Sequence, residues 1–446
     1  MHVSAKDYSV VNFPIRAPSF FAAHPFFATS RCGIDIPFRA LCQDSRTMND
    51  SASPLPSVTL ASHQTHRCLT GHPWIFRSEL GDLAELHNGE AVTVLDQRKR
   101  PLGIGLYSAK SQIAIRLLTR QPLAIDRTFF RQRLLTAIAL REARLPGRAA
   151  RRLVSSEADL IPGLIVDQYG ERLVIQTTTY GMDQRQEIVI EILQELLHPT
   201  QIIERNDLAV RELEGLAQRC AVVYGSADTR TTVRVGKLEV DIDLLDPHKT
   251  GSYLDQQLAH EQLMAWITPG DRVLDVCCHL GGFAIHALLA GAREAVSIDQ
   301  AEASVRGAIA CAARAGVADR FSAVHDDAFA WMKAADARRE NFDVVILDPP
   351  SFTRNRAGVA AALRGYHELH LRALRRLQPG GRLLTFSCSH HVSREDFLGT
   401  VLAAAGEARR TLRLDAHWTA SPDHPVLPGV PETEYLKGFV LTVIDG

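Results

Sequence analysis

The sequence predicts a multidomain α/β protein: a small β-rich unit, a central α+β unit, and a C-terminal parallel sheet with helices on its faces. Three observations carry that prediction. Between residues 57 and 122 short apolar runs recur between turn residues. From Asp126 to Leu245 helical and strand patterns are mixed. From Asp246 onward strands and helices alternate, the signature of a parallel sheet. A chain of 446 residues has room for roughly two to three domains, each able to bury a core.

Residues 1–56 stand apart. They hold Phe13, Phe20, Phe21, Phe26, Phe27 and Phe38 amid prolines with no regular period, so we expect a disordered extension, with Met48 close to the natural start. Residues 57–125 contain strands at Val58–Leu60, Ala91–Leu95, Gly103–Tyr107 and Ile113–Leu118. Among them, Gly71-His72-Pro73-Trp74-Ile75-Phe76 and Gly89-Glu90 resemble a PUA domain, a compact barrel used to bind RNA. In residues 126–245 a helix capped by Asp126 runs to Arg144. A hairpin over 164–176, a helix near 183–197 and strands near 201–204, 221–224 and 238–244 follow it.

In residues 246–446 strand one is Arg272–Cys278, and a turn at His279–Phe283 leads into a helix reaching Ala290. Strand two is Glu294–Asp299, a helix covers about 301–315, and strand three near 321–324 is closed by Asp326 and Asp327. Two later strands share one form. Phe342–Leu347 stops on Asp348-Pro349-Pro350-Ser351-Phe352, and a Pro379-Gly380-Gly381 turn opens a run that stops on Ser387-Cys388-Ser389. Ligands collect at the carboxyl ends of strands in open α/β sheets. One strand end offers a carboxyl group and the other a thiol, and we expect both to face one bound base.

Composition narrows the classes. Hydrophobic residues make up 46% and charged residues 23%, ordinary for a globular protein, and no apolar run approaches the ~20 residues of a membrane helix. The eight cysteines show no C-x-x-C pair, so no structural zinc is expected and the thiols read as free ones in a reducing cytoplasm. Net charge is −1, yet from Arg98 to Arg152 fourteen Lys/Arg face only Asp126 and Glu142, a local charge of 14 − 2 = +12. Such a run predicts contact with a phosphate backbone.

The turn after strand one points to a nucleoside cofactor. Gly281 and Gly282 allow backbone N–H groups to approach a ligand, and Asp299, eighteen residues past Gly281, is placed to bond both ribose hydroxyls. Those features suit NAD and S-adenosylmethionine (SAM) alike. The G-x-G-x-x-G cradle for a pyrophosphate is absent, however, and Asp275 precedes the turn, where a carboxylate favours the cationic amino group and sulfonium of SAM. Asp326 or Asp327 is placed for the adenine amine, and Cys277 and Cys278 read as core packing.

At this point the residues resemble a known family. Residues 57–446 are similar to the RlmI-type 23S rRNA (cytosine-5) methyltransferases in His248-Lys249-Thr250-Gly251-Ser252-Tyr253-Leu254-Asp255-Gln256, Leu280-Gly281-Gly282-Phe283-Ala284, Asp348-Pro349-Pro350-Ser351-Phe352, Thr385-Phe386-Ser387-Cys388-Ser389, Asp423-His424-Pro425-Val426 and Tyr435-Leu436-Lys437-Gly438-Phe439. Ser252 and Gln257 depart from the family pattern. The resemblance implies a PUA-like RNA-binding barrel (57–125), a central α+β domain (126–245) and a Rossmann-like, seven-stranded SAM methyltransferase sheet (246–446) with an antiparallel last strand near Tyr435–Ile444. It also implies SAM as cofactor, with Tyr253, Gln256 and Phe283 joining Asp275, Gly281, Gly282, Asp299, Asp326 and Asp327 in its site. The implied partner is 23S rRNA in the cytoplasm, with no membrane; a homodimer stays open.

The chemistry follows from the base. C5 of cytosine is too weak a nucleophile to take a methyl group unaided, and a thiolate added at C6 activates it. Cys388 is the candidate nucleophile, and the site is expected to lower its pKa. Asp348, neutral through burial, would donate to N3, while Pro349, Pro350 and Phe352 wall the base. His390 and His391 read as outlying. Asp-Pro-Pro-x-Phe also resembles motifs of nitrogen methyltransferases, which need no thiol, so nitrogen methylation is the alternative. A non-catalytic ribosome-assembly factor and a dehydrogenase rank below it.

Overall fold

Four β-sheets follow one another along the chain in the computed structural model, which describes residues 55–61, 67–81, 85–245, 253–353 and 355–445. The expectations for residues 1–54 and for His248–Ser252 lie outside the described residues.

The first sheet holds β1 (Ser57–Thr59), β2 (Trp74–Phe76), β3 (Ala91–Leu95), β4 (Pro101–Tyr107) and β5 (Ile113–Thr119) in the order β1-β3-β4-β5-β2. In β3 buried Val92 and Val94 alternate with half-buried neighbours, the period of a one-sided strand. The His-Pro-Trp segment is more than a connector, because Trp74–Phe76 pairs antiparallel with β5 at the sheet edge. His72 bonds Glu432 at 3.0 Å and Trp74 bonds Glu157 at 2.8 Å, which ties this edge to later parts of the chain.

The second sheet is framed by helix α1 (Arg127–Arg144), whose cap Asp126 accepts from the Phe129 N–H at 3.0 Å. It comprises β6 (Ala150–Ser155), β7 (Leu164–Tyr169), β8 (Arg172–Thr177), β9 (Gln201–Asn206) and β10 (Arg219–Gly225) in the order β10-β9-β8-β7-β6. Between β8 and β10 lie α2 (Tyr180–Asp183), α3 (Gln186–Leu197) and α4 (Val210–Glu214). A two-stranded hairpin, β11 (Arg230–Val235) and β12 (Leu238–Asp243), follows, and its apolar face joins one core with Phe283 and Leu288.

Part of the basic run is paired within the chain. Arg116, Arg127, Arg141, Arg148, Arg151 and Arg152 are bonded to Glu214, Glu191, Asp159, Glu261, Glu142 and Asp167. Arg141 is fully buried and also donates to the Asp423 carbonyl at 2.7 Å, while the Asp423 carboxylate accepts from the Arg152 N–H at 2.9 Å. Six of the fourteen basic residues therefore hold segments of this chain together.

The fourth sheet has seven strands in the order β15-β14-β13-β16-β17-β19-β18. They are β13 (Arg272–Val276), β14 (Glu294–Asp299), β15 (Phe321–His325), β16 (Phe342–Leu347), β17 (Leu377–Ser387), β18 (Leu412–Trp418) and β19 (Lys437–Val443). Helices α5 (Gln257–Leu263), α6 (Gly282–Leu289), α7 (Glu302–Arg314), α8 (Ala328–Arg338), α9 (Val359–Arg376) and α10 (Arg394–Ala408) flank it. Buried Val344–Leu347 in β16 make the near-continuous apolar run of a strand covered on both faces. β19 runs antiparallel to both neighbours, as expected of the last strand. The Pro379-Gly380-Gly381 turn signal lies inside β17, where the register with β16 jumps between Phe342/Leu377 and Val344/Arg382. Because β14 and β16 sit on opposite sides of β13, the loops after β13 and β16 diverge and open a crevice.

Candidate active site

A cavity of about 420 Å³ occupies that crevice. One end is built by the loop after β13. Cys277, His279 and Gly281 take positive φ of 64°, 50° and 74°, a left-handed alternation that turns the strand sharply into α6. Gly282 is required for packing, since a Cβ there would come within 2.3 Å of the His260 ring, which meets Phe283 edge-on. At the end of β14, Asp299 accepts from the His279 N–H and the Ala301 N–H, both at 2.9 Å, which aims its carboxylate at the cavity and leaves lone pairs for hydroxyl donors. Phe283, Leu280 and, from the β11–β12 hairpin, Val235, Leu238 and Val240 supply apolar wall. An apolar slot with one carboxylate at a strand end fits an adenosine-like group.

The other end is formed by the tips of β16 and β17. Asp348, Pro349, Pro350, Phe352 and Cys388 all line the cavity, together with Tyr253, Asp255 and Gln256. Gln256 donates to Asp348 at 3.1 Å, and its own carbonyl oxygen is buried with no partner among the described residues. Asp255 accepts from the Tyr435 hydroxyl at 2.6 Å. Buried hydroxyls lock the two tips together. Tyr366 on α9 bonds Ser387 and Ser389 at 3.0 Å each, and Ser389 bonds Ser351 at 3.1 Å and accepts from the Phe352 N–H at 3.2 Å. Ser389, after Cys388, is thus fixed to Ser351 and Phe352, and Ser387, before it, to the same Tyr366 hydroxyl. From β19, Lys437 donates to the carbonyls of Ser389 at 2.7 Å and Val392 at 2.9 Å.

Burial dominates the electrostatics. It pushes the Asp348 carboxyl from 3.8 up to about 8, with Asp255 and Asp275 adding to the rise. Burial, then Asp348 and Asp255, push the Cys388 thiol up to about 11, while Lys437 pulls it down. This reverses the expectation of a lowered thiol, because burial of the sulfur, ahead of its carboxyl neighbours, outweighs the one ammonium. Burial first, then Asp299, raises Asp275 to about 7 against the hydrogen bond from the Ala284 N–H, and Cys277 is raised by burial and Asp299.

The structure brings together most of the residues singled out in the sequence. Three are elsewhere. Asp275 lies beneath the cavity and accepts from the Ala284 N–H at 3.1 Å, so it braces α6. Gly281 and Asp326 also lie off the wall; Asp326 accepts from the Asp327 N–H at 2.8 Å, and Asp327, which does line the cavity, caps α8. Cys277 and Cys278 line the cavity as well as packing. Asp255 and Lys437 carry the resemblance but no site role in the sequence reading, and His260 and the hairpin valines do not enter it. A lysine opening an otherwise apolar strand was the available signal for Lys437; nothing local marks the hairpin, whose approach is tertiary.

Comparisons with known proteins agree with this geometry. Residues 58–120 match a family model described as a PUA-like domain, and residues 217–429 match that of S-adenosylmethionine-dependent methyltransferases. A ribosomal RNA large subunit methyltransferase I of Tolumonas auensis is 36% identical over 396 residues, covering 87% of this chain and 99% of that protein. Its namesake in Salmonella newport is 33% identical, covering 89% and 100%. Among solved structures, a SAM-dependent methyltransferase from Streptococcus mutans superposes with a TM-score of 0.74 at 19% identity, covering 87% of this chain and 100% of its own. Another methyltransferase, solved with S-adenosylhomocysteine, gives 0.76 at 19% identity. The chain belongs to the ribosomal RNA large subunit methyltransferase I family, a PUA-like domain joined to a SAM-dependent methyltransferase.

Proposed function

We propose that this protein methylates C5 of a cytosine in 23S rRNA through a covalent adduct with Cys388. The observation that carries the reading is a thiol and an elevated carboxyl on the wall of the same cavity that holds Asp299 and Phe283. Asp299, Asp327, Phe283, Tyr253 and Gln256 would hold the cofactor, with Asp275 acting through α6. Bound SAM supplies an electrophilic methyl group.

The chain's own residues do the rest. The Cys388 sulfur, as thiolate, adds to C6 and makes C5 nucleophilic. Charge then builds on N3 and O2, where Asp348 donates a hydrogen bond from its neutral form; a carboxyl raised to about 8 keeps that proton at neutral pH. Pro349, Pro350 and Phe352 hold the ring in place. Once C5 is substituted, loss of its proton and departure of the Cys388 sulfur restore the aromatic base.

The test is nucleoside analysis of 23S rRNA methylated in vitro. 5-Methylcytidine that disappears with Cys388→Ala supports the reading. A methylated guanine or adenine, formed equally by Cys388→Ala, replaces it with nitrogen methylation, which Asp348-Pro349-Pro350-Ser351-Phe352 alone would serve.

A further inference from the structure

Lys437 opens β19 opposite Ser387, the last residue of β17, so its side chain stands beside the turn that carries Cys388. It is 4% exposed. Its ammonium donates to the carbonyls of Ser389 and Val392, which bracket that turn, and makes no ion pair among the described residues. Glu434, three residues earlier, is paired with Arg394 at 2.8 Å. A buried ammonium held by neutral carbonyls alone is costly, and a strand-end lysine in a core serves stability less well than an apolar residue would. The groups facing Cys388 from every side are Asp348 after β16, Asp255 before α5, Tyr253, Tyr366 from α9 and Lys437; around Lys437 itself stand Arg394, Glu434 and His390. Asp255, and Asp348 once it ionises, oppose an anionic sulfur.

We propose that Lys437 is the positioning counter-charge of Cys388: its ammonium, pinned across the turn, stabilises the sulfur as an anion and fixes the turn that presents it. This deepens the covalent reading above and rests on it. The pairing is mutual, since Cys388 raises the Lys437 ammonium against the burial that brings it down to about 8, and Lys437 lowers the Cys388 thiol. Among the described residues the cation makes no ion pair, so an ionised Cys388 supplies it with an anion, and ionisation is the event the reaction needs.

The test measures the sulfur without RNA, so its outcome is separate from that of the covalent reading. Alkylation of Cys388 by iodoacetamide is followed by peptide mass spectrometry from pH 6 to 10 in the full chain. Exposed Cys220 in the same sample reports reagent and fold. Lys437→Gln keeps a donor for the carbonyls and removes the charge; Lys437→Met is the second neutral variant, and the one that retains wild-type SAM binding is read. Removing a neighbouring opposite charge moves a pKa by about one unit, so Cys388 alkylation at pH 7, where Lys437 is charged, should fall about tenfold and its profile shift to higher pH, with Cys220 unchanged and Lys437→Arg restoring most of the rate. An unchanged Cys388 profile in a folded neutral variant overturns the proposal, as does a Lys437→Arg variant no faster than the neutral one.

Discussion

Replacing Asp348 with asparagine should make the protein more stable at alkaline pH, and the size of the effect can be worked from the site. The folded carboxyl titrates near 8 and the unfolded one near its ordinary 3.8. Between those values the unfolded chain has released the proton and the folded chain keeps it, so stability falls as pH rises through that window. One pKa unit corresponds to about 1.4 kcal/mol, and the two units between pH 6 and 8 set an upper bound of roughly 3 kcal/mol. Asp348 lines an open cavity, and water reaching it reduces this to about 1–2 kcal/mol. For a domain of this size that is a loss of about 3–6 °C in Tm. The assay is scanning fluorimetry of wild type and Asp348→Asn at pH 6 and 8.5. Wild type should lose those degrees relative to the variant, whose amide does not titrate. Asn can still donate to N3, so Asp348→Asn should keep more activity than Asp348→Ala. Parallel Tm losses in the two proteins would refute a neutral, buried Asp348.

Three further outcomes follow from the same geometry. Gly282→Ala drives a Cβ into the His260 ring and should cost about 1–3 kcal/mol in stability and weaken SAM binding, read by calorimetry. Asp299→Ala removes the strand-end carboxylate and should weaken SAM binding about tenfold or more with little change in RNA affinity. Tyr366→Phe removes the hydroxyl between Ser387 and Ser389, costing about 1–2 kcal/mol, and should slow methyl transfer at saturating SAM and RNA more than it raises either KM.

Much of this site was readable in advance because its chemistry sits at strand ends that announce themselves. Apolar runs that stop on Asp348-Pro349-Pro350 and on Ser387-Cys388-Ser389 fix both the strand and the residue at its tip, and parallel neighbours bring the tips together. Asp299 was equally legible, ending a strand one turn and one helix after Gly281-Gly282. Charge proved a poor guide. Arg116, Arg141 and Arg152 look in sequence like a polyanion surface, yet their partners Glu214, Asp159 and Asp167 lie up to about a hundred residues away, and only folding reveals the pairing. Strand β6 has no alternation to read, since adjacent Ala150 and Arg151, and then Leu153 and Val154, are buried and its arginines are polar in sequence. The hairpin wall and the Lys437 contact depend on packing between distant segments, which no local pattern encodes. The thiol's raised pKa is likewise a property of three segments converging.

The most direct measurement of the covalent account is a mass spectrum of the protein after incubation with SAM and 23S rRNA containing 5-fluorocytidine. Fluorine at C5 cannot leave as a proton does, so the enzyme should remain bonded to its RNA through Cys388, and digestion should find the nucleotide on the Cys388 peptide in wild type and nowhere in Cys388→Ala. Methyl transfer to RNA with no adduct, and with Cys388→Ala still active, would contradict it.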